Sequence, residues 1–351
     1  MKKNLSKNCI KIITAIPSLL LIACNSISKE TISLRPVEKT SVSIQANESI
    51  NDIIGSLTMQ LINNQILFNY IDSRSFQFVS QNLSNKKSRK IKFYPEEPNS
   101  LGSDPSYFYL NHSNEIIVVN NDATFFTRCS GDDEMLKIKD KITLPDEIRC
   151  QFLQGIRPGL QQSDKLIFFH YSENKFKNLI TFDIEKFSVK EVNIPFQEDI
   201  FNALNSKVTL LINCISPFVT MDKETYVFSS WYSNVIYEWD GKGAYSEKKL
   251  KNINESRRPL STFIDSWEKA ILEGGYTSHC PVIKIKDRQL YITENYSGEE
   301  TKKAELLNLD LNGDEISKID VSQKGKCWVS DRLVIFKIDE ENNVINFEIW
   351  K

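Results

Sequence analysis

A six-bladed β-propeller of four-stranded antiparallel blades is the fold class this sequence predicts, and three observations predict it. Short runs of Ile, Val, Leu, Phe and Tyr recur six times, about 44 to 64 residues apart. They are Ile66–Phe68, Ile116–Val119, Leu166–Phe169, Tyr226–Phe228, Leu290–Ile292 and Leu333–Phe336. Each run has similar surroundings, with a tight polar turn before it, a further strand after it and then a second turn. The last unit is one strand short, while the strand-like piece Ser41–Gln45 stands ahead of the first unit. That piece would supply the missing outer strand and fasten the ring. A four-stranded blade buries its apolar faces only against its neighbours, so radial repetition follows from the pattern. A pair of β-sandwiches is the alternative arrangement of so many short strands.

At the N-terminus, Lys2, Lys3, Lys7 and Lys11 precede the apolar run Ile12–Ala23, which ends in Leu21-Ile22-Ala23-Cys24. The run is too short to span a bilayer permanently. The segment resembles a bacterial lipoprotein signal, and an ordinary cleaved signal peptide is the other reading. The resemblance implies cleavage before Cys24, a lipid on its sulfur and a chain outside the cytoplasm. Asn25 after the cysteine resembles an outer-membrane sorting context. The chain thus divides into a signal (1–23), a polar tether (24–38) and one propeller domain (39–351).

Within the repeats, the first turns are Asn63-Asn64, His112–Asn114, Ser163-Asp164, Met221–Lys223 and Lys286–Arg288. The second turns are Asn82–Asn85, Ser130–Asp133, Asp183–Glu185, Asp240–Gly243 and Asp310–Gly313. Residues of these types tolerate positive φ or bond their own backbone. Pro105, Pro158, Pro217 and Pro281 stand about ten residues ahead of four of the core runs, where a proline can begin a strand. The stretch Ser216-Pro217-Phe218, Asp222-Lys223, Tyr226–Phe228, Ile236-Tyr237 and Asp240-Gly241 looks like a TolB-type propeller repeat. The chain over residues 40–351 resembles the uncharacterised six-bladed propeller lipoproteins of Bacteroidetes, a family with a domain of unknown function. That resemblance implies a fold and an envelope address, and it brings no catalytic residues.

Composition narrows the partners. The chain has 44 Lys and Arg against 46 Asp and Glu. Without the four signal lysines, 44 − 4 = 40 cations face 46 anions, a net charge of −6. This argues against nucleic acid or an anionic membrane surface as an electrostatic partner. No second apolar run approaches membrane-spanning length, no Gly-rich phosphate loop is present, and no cofactor is implied. Cys9 leaves with the signal and Cys24 takes the lipid. Cys129, Cys150, Cys214, Cys280 and Cys327 remain, an odd number whose pairing spacing does not fix. Cys214 with Cys280 is the first choice for a disulfide. No spacing supports a metal site, and Asp310–Glu315 reads as a hairpin turn despite its calcium-loop character.

The long connections Tyr94–Asp104, Pro145–Arg157, Pro195–Asn213 and Asn252–His279 all fall on one face, with the loops His170–Lys177 and Glu294–Lys303. A short amphipathic helix is expected near Thr262–Leu272. Long loops on a rigid scaffold are where binding residues sit. The ligand-binding candidates are therefore Asp104, Arg157, Ser216 and Cys280 at the channel mouth, with His279, the Arg257-Arg258 pair and Trp231 in the surrounding loops. Ordinary packing, solvation and backbone satisfaction are the competing roles for each. The expectation is a lipid-anchored, non-enzymatic module binding an envelope protein or a small molecule on its loop-rich face. The alternative is a hydrolase or lyase acting on a small or glycan-like substrate at the channel mouth, through Asp104, Arg157, Arg258 and His279.

Overall fold

The computed structural model describes residues 34–44, 53, 55–94, 101, 105–120, 125–131, 136–145, 165–172, 175–193, 217–222, 225–230, 235–243, 245–249, 277–286, 289–296, 303–310, 314–322 and 324–351. They form a β-propeller of separate antiparallel sheets, each a meander in chain order apart from the last. Strand β1 (Pro36–Ser43) comes first. The first blade follows with β2 (Thr58–Ile62), β3 (Gln65–Asp72), β4 (Gln77–Asn82) and β5 (Ser88–Lys92). The second has β6 (Pro105–Leu110), β7 (Ile116–Asn120), β8 (Phe125–Gly131) and β9 (Leu136–Thr143). The third sheet has β10 (Lys165–Ser172), β11 (Lys175–Asp183) and β12 (Ser188–Asn193). The fourth blade has β13 (Pro217–Asp222), β14 (Thr225–Ser230), β15 (Val235–Trp239) and β16 (Tyr245–Lys249). The fifth has β17 (Thr277–Lys286), β18 (Gln289–Tyr296), β19 (Lys303–Asp310) and β20 (Glu315–Asp320). The last sheet has the order β1, β23 (Val344–Trp350), β22 (Arg332–Asp339) and β21 (Gly325–Val329).

Six blades of four strands were expected. Among the described residues five sheets have four strands and the third has three. Its three strands match the second, third and fourth of the other blades. The segment expected to run innermost, with Pro158 and the turn Ser163-Asp164, lies outside the described residues. Other expectations shift at the strand ends. β1 starts at Pro36, inside the segment read as tether, because its ladder with β23 runs from Ser43↔Val344 to Pro36↔Trp350. Pro105 and Pro217 open β6 and β13 as expected, but Pro281 sits inside β17. Proline offers no N–H to a ladder, and the register of β17 with β18 slips there, between Cys280 and Lys284. The expected loops His170–Lys177 and Glu294–Lys303 are shorter, since pairing extends to Ser172↔Lys175 and Tyr296↔Lys303. Backbone pairing overrides the polar composition of these strand ends. The expected helix near Thr262–Leu272 lies outside the described residues.

The turns follow from residue type. Asn63 and Asn64, with φ of 50° and 62°, join β2 to β3 as a two-residue hairpin of the kind that demands positive φ twice. The hairpins closed by Asp72↔Gln77, Asp183↔Ser188 and Asp339↔Val344 share one design. In each, the aspartate Oδ1 accepts a backbone N–H from the turn, and the last turn residue is left-handed: Phe76, Phe187 and Asn343.

The core lies between blades. Every residue of β7 is buried, as befits a strand covered on both faces. One apolar cluster joins Phe68, Met59 and Val42 to Phe347 and Val334, so the last sheet packs on the first blade. A second joins Phe78, Ile91 and Phe93 to Phe108 and Ile116. A third stacks Phe126 on Phe182 at 4.1 Å between the second and third sheets. A fourth sets Trp328 against Tyr291 at 5.2 Å between the fifth blade and the last sheet. The outer strands carry cations, such as Arg89, Lys90 and Lys92 in β5 and Lys137, Lys139 and Lys141 in β9. Charged edges of this kind discourage pairing with other chains.

Candidate functional site

Chain direction separates two faces. One carries the turns 63–64, 83–87, 111–115, 184–187 and 330–331. The strands joined by segments 93–104, 194–216 and 250–276 end on the other, as expected, and so does β9, whereas β10 begins at the tight-turn end, where Lys165 pairs with Asp183. The tight-turn face is strapped from blade to blade. Arg89 of β5 donates from Nη1 to the Asn114 carbonyl at 3.0 Å and from Nη2 to that of Gly131 at 2.7 Å. Lys286 Nζ reaches the Asp331 carbonyl at 3.0 Å. Arg332 donates to Asn64 through both its carbonyl and its side chain. The His112 N–H donates to Glu185 Oε1 at 2.8 Å. Three of the turns receiving these straps contain a left-handed residue, Asn64, Asn114 or Ser330. Turn carbonyls that would otherwise face only water thereby become inter-blade acceptors.

The inner strands are tied together by buried side chains. Gln60 on β2 donates from Nε2 to the Leu110 carbonyl of β6 at 2.8 Å, and its Oε1 accepts the Leu110 N–H at 2.7 Å. Gln60 thus treats β6 as a second ladder partner. Thr58 Oγ1 donates to the Phe108 carbonyl at 2.8 Å. Behind them Asn69 donates to Gln60 Oε1 at 3.0 Å and accepts from Ser80 Oγ at 2.6 Å. Each of these side chains is buried, where a missing partner would be costly. Between the last sheet and the first blade, the Cys327 thiol lies 3.4 Å from the Met59 thioether. Burial pushes the Cys327 and Cys129 thiols up to about 12, so both are protonated at neutral pH. Burial, aided by Tyr107, also raises the Tyr109 phenol well above its ordinary value.

The sequence-derived candidates fall mostly elsewhere. Cys24, Asp104, Arg157, Ser216, Trp231, Arg257 and Arg258 lie outside the described residues, as do Cys150 and Cys214. His279 and Cys280 are brought into the body of β17, opposite Glu294 and Thr293 on β18. They were expected at the loop-to-strand junction, and β17 starts before them at Thr277 because pairing extends to Thr277↔Tyr296. Asp310 caps its hairpin as expected, accepting the Asp314 N–H at 2.9 Å.

Sequence reading missed an aromatic edge on the loop-bearing face of the first blade. Phe76 and Tyr94 are 46 % and 47 % exposed, two of the four large apolar side chains exposed among the described residues, the others being Val37 and Tyr245 at the tight-turn ends of β1 and β16. Phe76 sits edge-on to Phe93 at 5.9 Å, and its carbonyl accepts the Phe93 N–H at 2.9 Å. Its φ of 49° is unfavourable for a bulky residue. The usable signal was the spacing from Asp72 to Phe76, which recurs from Asp183 to Phe187.

Over about nine-tenths of the chain this architecture matches solved structures. A member of the DUF4221 family from Bacteroides vulgatus superposes with a TM-score of 0.63 at 11 % identity, covering 91 % of this chain and 98 % of that one. The chain shares the fold of that protein. A Bacteroides fragilis protein with an export assignment superposes with a TM-score of 0.51 at 12 % identity, covering 92 % of this chain and 96 % of its own. At such identities the likeness concerns fold alone. No protein-family model matches the sequence, and no curated protein does.

Proposed function

We propose that this protein is a lipid-anchored envelope module that binds a protein or small-molecule partner through the loop-bearing face of a six-bladed ring. In this reading the segment ahead of β10 completes the third blade, and β1 closes the ring by joining the C-terminal strands. The observation that carries the binding role is the contrast between the two faces. On the tight-turn face, Arg89, Lys286 and Arg332 are committed to holding blades together. On the opposite face, Phe76 and Tyr94 stand exposed beside the ends of the long connections. On the described inner strands the Gln60 amide is satisfied by Leu110 and Asn69 and the Cys327 thiol is protonated, which favours binding over catalysis. Anchoring through Cys24 and an outer-membrane address rest on the lipoprotein-like signal, and the export assignment of the Bacteroides fragilis neighbour agrees with a place beyond the cytoplasm.

The test is site-specific photo-cross-linking in the native envelope, with the probe at Phe76 or Tyr94 and, as reference, at Lys242 in an exposed turn of the tight-turn face. Adducts from the first two positions and none from the third are expected. Equal labelling at all three, or adducts from Lys242 alone, would overturn the assignment of the face. Turnover of a glycan by purified protein, lost on replacing Arg157 or His279, would establish the enzymatic alternative.

A further inference from the structure

The same tight-turn face carries a feature the binding reading leaves unused. Residues 86–92 read Lys-Lys-Ser-Arg-Lys-Ile-Lys, a run with no acid in a chain whose acids outnumber its bases. Edge protection accounts for the cations within β5. It does not account for Lys86 and Lys87, which precede the strand in an exposed turn, nor for Arg35, which precedes β1 and is also exposed. These three share one end of one seam. β1 lies against the first blade, with Thr40 Oγ1 donating to the Leu83 carbonyl at 3.1 Å and Val42 buried beside Leu83. The start of β1 is fixed at the tight-turn end, where Arg35 and Lys351 exchange two backbone bonds at 3.0 Å. Next to Arg35 on the same edge, Val37 is 59 % exposed. Of the acids at this end, Glu348 pairs with Lys39 at 3.1 Å and Asp331 with Lys351 at 3.8 Å, and the half-exposed Glu38 leaves the rim with more cations than acids.

We propose that this rim, Arg35, Lys86 and Lys87 around the exposed Val37, docks on the phosphate-bearing headgroups of an anionic lipid surface. The orientation this produces rests on the anchored reading. Ten chain steps lead from Cys24 to Leu34 (34 − 24 = 10), a reach of at most roughly 35 Å. An anchored chain entering at this rim holds these cations near the bilayer, where each adds attraction to anionic headgroups. Val37 adds an apolar contact. The loop-bearing face, at the opposite ends of the strands, then points away from the membrane and stays open to a partner.

The test uses residues 34–351, which contain every described strand and core cluster and lack Cys24, so the result does not depend on lipidation. Cosedimentation would compare vesicles of phosphatidylcholine with and without about 30 % phosphatidylglycerol at about 0.1 M NaCl, then at about 0.5 M. The expected result is preferential binding to the anionic vesicles, lost at high salt. The triple variant Arg35→Glu, Lys86→Glu, Lys87→Glu should bind on the order of tenfold more weakly or worse. A control with the same charge change elsewhere, Lys137→Glu, Lys190→Glu, Lys242→Glu, should bind as wild type. Unfolding curves of both variants guard against misfolding. Equal binding to neutral and anionic vesicles, equal loss in both variants, or binding of soluble polyphosphate without binding of vesicles would overturn the proposal. Lipid labelling of the full chain against Cys24→Ser tests the anchor separately, so the two failures are distinguishable.

Discussion

Gly325 shows how a single residue fixes the last sheet. It pairs directly with Phe336, and a Cβ built at this glycine would run into the phenyl ring. Gly325→Ala should cost about 1–3 kcal/mol as overpacking, read from urea unfolding, and Phe336→Leu in the same chain should recover part of it. At the blade seam, Gln60→Leu leaves the Leu110 N–H and carbonyl without their side-chain partner in a buried place. The expected loss is about 2–3 kcal/mol. The thiols of Cys129 and Cys327 give a pH dependence with a definite sign. Each is pushed from an ordinary 9.0 up to about 12 by burial, so the unfolded chain ionises first as pH rises. Their contribution is full below about pH 9 and falls away towards pH 12. Wild type should therefore lose stability between pH 9 and about 10.5 more steeply than the Cys129→Ala, Cys327→Ala protein. The fully buried Cys129 should not react with an alkylating reagent before unfolding.

The informative element is β1. Val42 of β1 and Ile44 just after it join the cluster shared by the first blade and the last sheet, and β1 covers the outer edge of β23. Deleting residues 34–44 should remove several kcal/mol of burial and leave that edge open, giving aggregation at concentrations where the full domain stays monomeric. Sedimentation velocity reads this directly. Val42→Asp should reproduce most of the effect without shortening the chain, because it buries a charge with no partner provided for it. The hairpins opened by Asp72, Asp183 and Asp339 show how one turn design recurs while its side chains serve different ends. Phe187 turns inward against Phe182 at 5.6 Å, whereas Phe76 stays in solvent.

For the whole molecule, radial repetition puts apolar burial between blades and polar straps at the seams, so stability is shared around the ring. Removing Arg89 and Arg332 together should lower the thermal midpoint by more than the sum of the single changes if adjoining seams open cooperatively. Scanning calorimetry of the two single variants and the double variant checks this. Additive shifts would mean that the seams melt independently. The same face is held together in this way, while strands at the other end run into the long connections.

Much of the architecture was legible because each unit repeats the same local chemistry. Apolar runs at regular spacing mark the middle strands. Asn63-Asn64 and Asp240 mark turns through positive φ and side-chain capping. These are local signals, and local signals survive in a sequence. The strand ends around His170, His279 and Glu294 were misjudged because polar composition suggests a loop where cross-strand pairing holds a strand. The partnership of Gln60 with Leu110 was invisible, since neither residue is unusual in its own surroundings. So was the gathering of Arg35, Lys86 and Lys87 at one seam. Sequence by itself determined the kind of the repeating piece, a four-stranded antiparallel unit. Only the tertiary structure decided which residues from distant repeats share a wall or a rim, because that depends on how blades are placed around an axis and leaves no periodic trace in the chain.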